Sequence, residues 1–167
     1  GFNMKVAEAA RRHGVPVLYY ITPQVWAWGA NRLPKLSRLI TKAAVILPFE
    51  EALLRGAGVN ASFAGHPLLD RAVAMPSRAA PRASLGLPAD GEVLALFPGS
   101  RAEEIRRHLA DFVAVARELE RRRPGLRVVL SVAPTIQLRD DEVPFPLVRS
   151  QSFDVLRAAD VALCKSG

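Results

Sequence analysis

The sequence predicts an α/β protein with two doubly wound, Rossmann-like parallel sheets, each incomplete within this chain. Short apolar segments, such as 44–47 and, after Glu92, the rest of 92–97, alternate with segments of helical period. Strands of that kind are covered by helices on both faces of a parallel sheet. The alternation stops over 74–90, which is rich in Pro, Ala and Arg, and then restarts. We expect this stretch to be a linker between domains at 1–73 and 91–167.

The first predicted domain alternates strands with short helices. A run of β-branched and aromatic residues favours a strand at 15–21, and shorter strands are predicted at 44–47 and 60–64. Apolar residues at helical spacing, bounded by Gly or Pro, favour helices at 3–13, 31–43, 50–55 and 67–73. The segment that follows the first strand, 22–29, is predicted as an aromatic loop.

The second predicted domain has longer elements. Strands are predicted at 92–97, 126–132, 145–148 and 161–164, and helices at 101–123 and 152–159. One stripe of the longer helix is expected to face the core. Its residues are Ile105, Leu109, Phe112, Val113, Ala116 and Leu119. The single cysteine, Cys164, excludes an internal disulfide and is predicted to be a small buried side chain.

The composition limits the class of partner. Half of the 167 residues are hydrophobic and the net charge is +7, which indicates a globular protein with an anionic partner. A phosphorylated ligand, nucleic acid and an anionic membrane surface all fit this charge, but without a nucleic-acid-binding motif nucleic acid is not expected. No apolar run reaches the ~20 residues that span a bilayer. The His and Cys residues are scattered, so no metal is expected.

The segment 98–105 follows a predicted buried strand and opens a predicted helix. Gly99 and Ser100 would bring backbone N–H groups close to an anion, because the first N–H groups of a helix lack internal partners. Arg101 adds a planar cation suited to a phosphate. Ser100 and Glu103 have the spacing of a capping box. The same residues also fit an ordinary capped turn with a surface arginine, and the segment alone does not decide between the two.

Both tryptophans, Trp26 and Trp28, lie in the loop after the first strand. They could form an apolar or sugar-facing wall, an interfacial anchor, or simply the packed core of a loop. The following helix carries basic residues on one arc, which suits an anionic membrane but also an ordinary solvated face. These residues are Arg32, Lys35, Arg38 and Lys42.

The turn that contains His66 connects a predicted strand to a predicted helix. His66 could transfer a proton, bind a ligand or have a structural role. In parallel α/β sheets ligands bind at the carboxyl ends of the strands. This turn is predicted to lie there, as are the segments 22–24, 48–50, 98–100 and 165–167.

Taken in order, five motifs resemble the lipid-A-disaccharide synthase family, glycosyltransferase family 19. They are YYITPQVWAW at 19–28, LPFE at 47–50, AGHPL at 64–68, FPGSRAEEI at 97–105 and ADVALCKSG at 159–167. The first is the specific one, since Pro-Gly-Ser-Arg also occurs in other sugar-nucleotide enzymes. The match covers nearly the whole chain, whose two ends suggest an internal piece of a longer protein.

The resemblance implies a two-domain GT-B fold, with 1–73 on the acceptor and membrane side and 91–167 on the UDP-sugar side. It implies an inverting transfer of 2,3-diacylglucosamine from UDP to 2,3-diacylglucosamine 1-phosphate. The products would be lipid A disaccharide 1-phosphate and UDP, formed without a metal or another cofactor. The protein would act in the cytoplasm, bound peripherally to the inner face of the cytoplasmic membrane.

The resemblance also implies which residues contact the substrates. On the nucleotide side they are Gly99, Ser100, Arg101, Glu104, Ser166 and Gly167. On the acceptor or membrane side they are Gln24, Trp26, Trp28, Arg32, Lys35 and His66. Arg101 is the residue expected to matter most for catalysis.

The chain departs from the family pattern in ways that affect these expectations. The aspartate expected as general base would precede Phe2, and the Ser-Gly loop stops before its Thr and Glu, so this segment alone is expected to be inactive. Lys165 stands where the family usually has a small residue. Two alternatives stay open. One is another GT-B UDP-sugar enzyme, such as the peptidoglycan N-acetylglucosaminyltransferase or a UDP-N-acetylglucosamine 2-epimerase, and the other is a non-catalytic membrane-associated α/β module.

Overall fold

The computed structural model describes residues 1–75 and 77–165. The chain divides into two compact units, Gly1–Ala74 and Met75–Gly167. Within the described residues each unit has one sheet, and all paired strands in both sheets are parallel. The predicted α/β class with two parallel, Rossmann-like sheets is therefore confirmed.

The first unit contains a three-stranded sheet in the order β1–β2–β3. Its strands are β1 (Leu18–Tyr20), β2 (Lys42–Val45) and β3 (Ala61–Phe63). Its helices are α1 (Phe2–Arg12), α2 (Val25–Trp28), α3 (Leu33–Leu39), α4 (Pro48–Gly56) and α5 (Pro67–Val73). A 3-10 turn, Ala30–Arg32, leads into α3.

The core of the first unit is centred on β2. Ala43 and Val45 of this strand are completely buried, and they pack with Leu36 of α3 and Leu54 of α4. Burial of small and branched side chains from the central strand against both helices removes apolar surface from water, which stabilises the unit. The loops that follow the three parallel strands consequently share one edge of the sheet.

The predicted helix 31–43 is shorter than expected. The chain turns extended at Ile40 (φ −97°, ψ 126°), and the N–H groups of Thr41 and Lys42 both donate to the carbonyl of Val17. Pairing with the segment before β1 draws these residues into the sheet. Lys42 therefore belongs to β2 and not to the basic helix, which was a wrong prediction. A short helix, α2, also forms where an aromatic loop was expected.

The second unit contains a four-stranded sheet in the order β6–β5–β4–β7. Its strands are β4 (Val93–Phe97), β5 (Arg127–Val132), β6 (Leu147–Arg149) and β7 (Val161–Cys164). Its helices are α6 (Ala79–Ser84), α7 (Ala102–Arg122) and α8 (Ser152–Ala158). A 3-10 turn, Asp140–Glu142, precedes β6.

Successive residues of β4 belong to two separate apolar clusters. Leu94 and Leu96 pack in a cluster that includes Ala116 of α7, whereas Val93 and Ala95 pack with α8. Alternate side chains of a strand point to opposite faces, so helices cover both faces of this sheet. The predicted apolar stripe of α7 is confirmed: Leu109, Phe112, Val113, Ala116 and Leu119 belong to the first cluster, and Ile105 is buried.

Part of the stretch that the sequence suggests as a linker is folded onto the second unit as α6. Arg82 of this helix is buried, and its guanidinium donates to the carbonyls of Ala158 (3.0 Å) and Ala89 (2.8 Å) and to the carboxylate of Asp160 (2.8 Å). Arg78 also pairs with Asp160. This cluster lies at the amino-terminal ends of β4 and β7, away from the carboxyl-end loops.

Two further expectations concern exposure and membrane crossing. Cys164 is exposed, so the predicted buried thiol is wrong; the residue lies on β7, which is an edge strand of the described sheet. No helix in the described ranges is long and apolar enough to cross a membrane.

Candidate functional site

In the second unit, the loop between β4 and α7 is built around a glycine that no other residue can easily replace. Gly99 has φ +138°, and a Cβ atom added there would lie 2.5 Å from Cβ of Glu104 and 2.8 Å from its Oε2. Glycine both permits this backbone conformation and leaves room for the carboxylate. The loop is thus shaped to bring backbone and an acidic side chain into close contact.

The carboxylate of Glu104 accepts hydrogen bonds from several groups of this loop. Its Oε2 accepts hydrogen bonds from the backbone N–H groups of Ser100 (2.9 Å) and Arg101 (3.3 Å). Its Oε1 accepts from Nη1 of Arg101 (3.0 Å) and lies 3.3 Å from Nζ of Lys165. Two otherwise unpaired N–H groups at the start of the helix are therefore satisfied by a side chain. Gly99, Ser100, Arg101 and Glu104 were all predicted for the nucleotide side, and the fold brings the four together.

The capping arrangement differs by one residue from the predicted pair of Ser100 and Glu103. Arg101 is still extended (φ −119°, ψ 147°), so α7 begins one residue later than expected and Glu104 occupies the third helical position. Glu103 points elsewhere and pairs with Arg106 (2.6 Å). The spacing rule was sound, but the sequence alone did not reveal which residue starts the helix.

The charged side chains at this loop have a net positive charge, which favours binding of an anionic ligand. The hydrogen bond from Ser100 N–H, with that from Lys165 as the next stabilising contribution, lowers the pKa of Glu104 to about 2. Glu104 is therefore ionised at neutral pH, and its one negative charge faces two cations. The Arg101 side chain is 80% exposed, and within the described residues Glu104 is its one partner. Most of its N–H donors are thus free to bind phosphate oxygens.

In the first unit, the aromatic loop is held by a buried carboxylate. Nε1–H of Trp26 donates to Oε1 of Glu50 (3.1 Å), and the Leu47 N–H donates to Oε2 (3.0 Å). The Trp26 ring also meets Phe49 edge-on, with centroids 5.0 Å apart and planes at 80°. Glu50 was noted in its motif but not as a site residue. The sequence carried no signal for this contact, because Trp26 and Glu50 are 24 residues apart and only the sheet brings their loops together.

The other described residues predicted for the acceptor or membrane side lie on the same edge of the sheet or beside it. Gln24 is exposed and directly precedes α2. Nδ1 of His66 accepts from the N–H of Leu68 (3.2 Å), so the neutral ring carries its proton on Nε2. The ring is thus oriented by its own turn. The side chain of Trp28 lies outside the described part, as do Ser166 and Gly167 of the predicted nucleotide side.

The basic residues near the aromatic loop have different surroundings. Lys35 pairs with Glu8 on α1 (3.1 Å), which offsets its charge. Arg32 is exposed and lines a cavity of about 290 Å³ together with Tyr19 and Pro23. Arg38 is exposed on α3. Among residues 1–75 and 77–165, no group of three or more His, Cys, Asp or Glu could hold a metal ion.

Comparison with known proteins identifies the family. A family model described as lipid-A-disaccharide synthetase matches residues 1–167. The lipid-A-disaccharide synthases of Trichlorobacter lovleyi and Myxococcus xanthus are each 40% identical to this chain, over 100% and 99% of it. That of Syntrophus aciditrophicus is 42% identical over 99%. The chain spans 45% of the length of each of these relatives. The chain belongs to the lipid-A-disaccharide synthase family.

Proposed function

We propose that this chain is part of an inverting glycosyltransferase that moves 2,3-diacylglucosamine from UDP to 2,3-diacylglucosamine 1-phosphate. The products are lipid A disaccharide 1-phosphate and UDP. The observation that carries the proposal is the β4–α7 loop, where the exposed guanidinium of Arg101 stands at the start of a long helix. In a member of the lipid-A-disaccharide synthase family, this arrangement suits the diphosphate of a nucleotide sugar.

The proposed reaction builds up charge on its leaving group. A hydroxyl of the acceptor attacks the anomeric carbon of the donor sugar, and the bond from that carbon to the diphosphate oxygen breaks. The electron pair leaves with UDP, so negative charge grows on the diphosphate in the transition state. Arg101 stabilises that charge with N–H donors that are fixed before the reaction starts. The proton of the hydroxyl passes to a general base, which the resemblance assigns to an aspartate before Phe2, and we expect no metal.

The first unit would hold the acceptor and rest on the membrane. Acyl chains need an apolar surface close to the bilayer, and cations beside it attract anionic headgroups. Large apolar side chains are exposed on the carboxyl-end loops and on α5; they are Ile21, Trp26, Phe49, Leu68, Leu69 and Val73. With Arg32 and Arg38 nearby in sequence, they support peripheral binding to the cytoplasmic face of the inner membrane.

The experiment that tests the reaction measures UDP release by the full-length gene product from UDP-2,3-diacylglucosamine and its 1-phosphate acceptor. Arg101→Ala is compared with Arg121→Ala, which removes a similarly exposed arginine from the other end of α7. Arg121 also pairs with a glutamate three residues away, at 2.7 Å, so each substitution removes one exposed arginine that pairs with a nearby glutamate. The two positions are 20 residues, or about 30 Å, apart along the helix.

We expect kcat to fall about 100-fold or more in Arg101→Ala and to stay near wild type in Arg121→Ala. A wild-type protein that binds UDP but does not turn over the acylated donor would contradict the lipid A assignment and favour another UDP-sugar enzyme. A protein that binds anionic vesicles without any affinity for UDP would favour a non-catalytic membrane module.

A further inference from the structure

Two loops of the second unit place their cations on one carboxylate oxygen. Arg101 comes from the loop after β4, and Lys165 comes directly after β7. Nη1 of Arg101 lies 3.0 Å and Nζ of Lys165 lies 3.3 Å from the same atom, Oε1 of Glu104. Since both distances end on one oxygen, the two cationic nitrogens are close neighbours.

The backbone holds each partner in place. The Lys165 N–H donates to the carbonyl of Phe97 (2.9 Å), which continues the β4–β7 pairing one residue beyond the strand. Glu104 is fixed within the first turn of α7 and receives two backbone N–H groups on its other oxygen. The side chains of Lys165 and Glu104 are only 24% and 15% exposed, whereas Arg101 reaches into solvent. The carboxylate is thus a rigid support, and the guanidinium is the accessible end of the cluster.

Glu104 itself is unsuited to touch a diphosphate. An ionised carboxylate only accepts hydrogen bonds, and it repels phosphate oxygens. Without it, however, two adjacent cations would repel each other, and the lysine would lose the contact that orders its flexible stem. The cluster of three charges keeps a net positive charge with Glu104 in place, so it can still attract an anion.

We propose that Glu104 is a positioning residue of the nucleotide site, which holds Arg101 and Lys165 side by side so that both cations meet one diphosphate. This inference rests on the proposed function, because the diphosphate is that of the UDP-sugar. It gives Lys165 a role in binding. A support that fixes cations before the ligand arrives lowers the entropy lost on binding.

The test measures UDP affinity by calorimetry, at low and high salt, in the full-length gene product. The variants are Glu104→Gln, Lys165→Ala and their double combination, with Lys165→Arg as the conservative replacement. Glu103→Gln is the control, because this neighbouring glutamate pairs with Arg106 and Arg107 and is 58% exposed. Thermal unfolding of each variant separates loss of folding from loss of binding.

We expect Glu104→Gln and Lys165→Ala each to weaken UDP binding about tenfold, while Lys165→Arg and Glu103→Gln stay close to wild type. The double variant should bind little worse than either single one, because both act through the same contact. Loss of Lys165 should also reduce the salt dependence of binding. A purely structural role would lower the unfolding temperature without this coupling.

Unchanged or tighter UDP binding in Glu104→Gln would overturn the inference, since it would show that the carboxylate merely fills the place of the ligand. Additive effects in the double variant would overturn it as well. Failure of the proposed function is distinguishable from this. Without a nucleotide site, wild type binds no UDP and Arg101→Ala changes nothing; with a wrong lipid A assignment, UDP binding persists and only the turnover of the acylated donor is absent. If wild type binds UDP and Glu104→Gln behaves like Glu103→Gln, the inference alone is wrong.

Discussion

Trp26 donates its indole N–H to Glu50 across 3.1 Å, and this carboxylate is only 3% exposed. The bond joins the loop after β1 to the first turn of the helix after β2. The second oxygen of Glu50 accepts from the Leu47 N–H, so both of its oxygens are used. Glu50 therefore fixes the orientation of Trp26, which we propose to lie on the acceptor side.

Replacing Glu50 with glutamine should destabilise the first unit. Glutamine keeps the shape but turns one acceptor into a donor, so either the Trp26 indole or the Leu47 N–H loses its partner. We expect the free energy of unfolding to fall by about 1 to 3 kcal/mol in urea titrations. Glu8→Gln is the control, because it removes only an exposed pair with Lys35 and should have little effect. Equal losses in both variants would contradict the role of Glu50.

Much of the fold could be predicted because its signals are local. The helix at Pro67–Val73 and the strand at Val161–Cys164 have the bounds that apolar period and Pro predicted. Lys42 was wrongly predicted to be helical, because its N–H donates to the carbonyl of Val17, which is far away in sequence. Cys164 was misjudged because an apolar run does not reveal that its strand lies at the edge of the sheet.

In the candidate site, too, the local features could be predicted from the sequence and the long-range contacts could not. The position of Gly99, Ser100 and Arg101 after a buried strand was readable from the sequence. The contacts of Glu104 with Lys165 and of Glu50 with Trp26 were not, because they join segments 61 and 24 residues apart. These two contacts form because each parallel sheet brings the loops after its strands to one edge. The sequence of a single loop does not show which other loop will lie beside it.

Substituting Gly99 with alanine should be more harmful than the same change at another glycine with positive φ. Gly125→Ala is the matched control: its φ is +102°, and an added Cβ meets nothing within 4 Å. The control measures the cost of the backbone conformation alone. We expect Gly99→Ala to lose about 1 to 3 kcal/mol more stability, because its Cβ overlaps Glu104. Equal losses would mean that the loop relaxes without strain.

Asp160 joins α6 to the sheet of the second unit, and its loss should be costly. Its carboxylate accepts from the Val93 N–H (2.8 Å) and from the guanidinium of Arg82, whose side chain is 4% exposed. Asp160→Asn leaves that buried cation without an anionic partner. We expect a loss of about 2 kcal/mol in urea unfolding. Asp141→Asn, at a 74% exposed position paired with Arg139, should be nearly neutral; a comparable loss there would contradict the argument.

The same carboxylate should make stability depend on pH in the acid range. The hydrogen bond from the Val93 N–H, with the charges of Arg78 and Arg82, holds the pKa of Asp160 below its ordinary value of 3.8. A depressed folded-state pKa stabilises the protein above the unfolded value, and this is lost as the pH falls through the folded value. Between about pH 5 and about pH 2.5, wild type should therefore lose more stability than Asp160→Asn. Parallel losses would show that Asp160 does not contribute.

Binding of the first unit to anionic vesicles should depend on where its positive charge lies. Arg32 and Arg38 are exposed, whereas the charge of Lys35 is offset by Glu8. Removing both arginines as Arg32→Gln/Arg38→Gln should weaken cosedimentation of the full-length gene product with such vesicles about tenfold, and Glu8→Gln should strengthen it.

The matched control for vesicle binding is Arg121→Gln/Arg122→Gln, which makes the same change in net charge at the end of α7 in the second unit. Both of these arginines are exposed and pair with Glu118. If the basic residues beside the aromatic loop contact the membrane, the control should bind nearly as well as wild type. Equal weakening by the two double variants would show that only the net charge attracts the protein to the vesicles. Arg32 and Arg38 of the first unit would then not form a specific membrane contact.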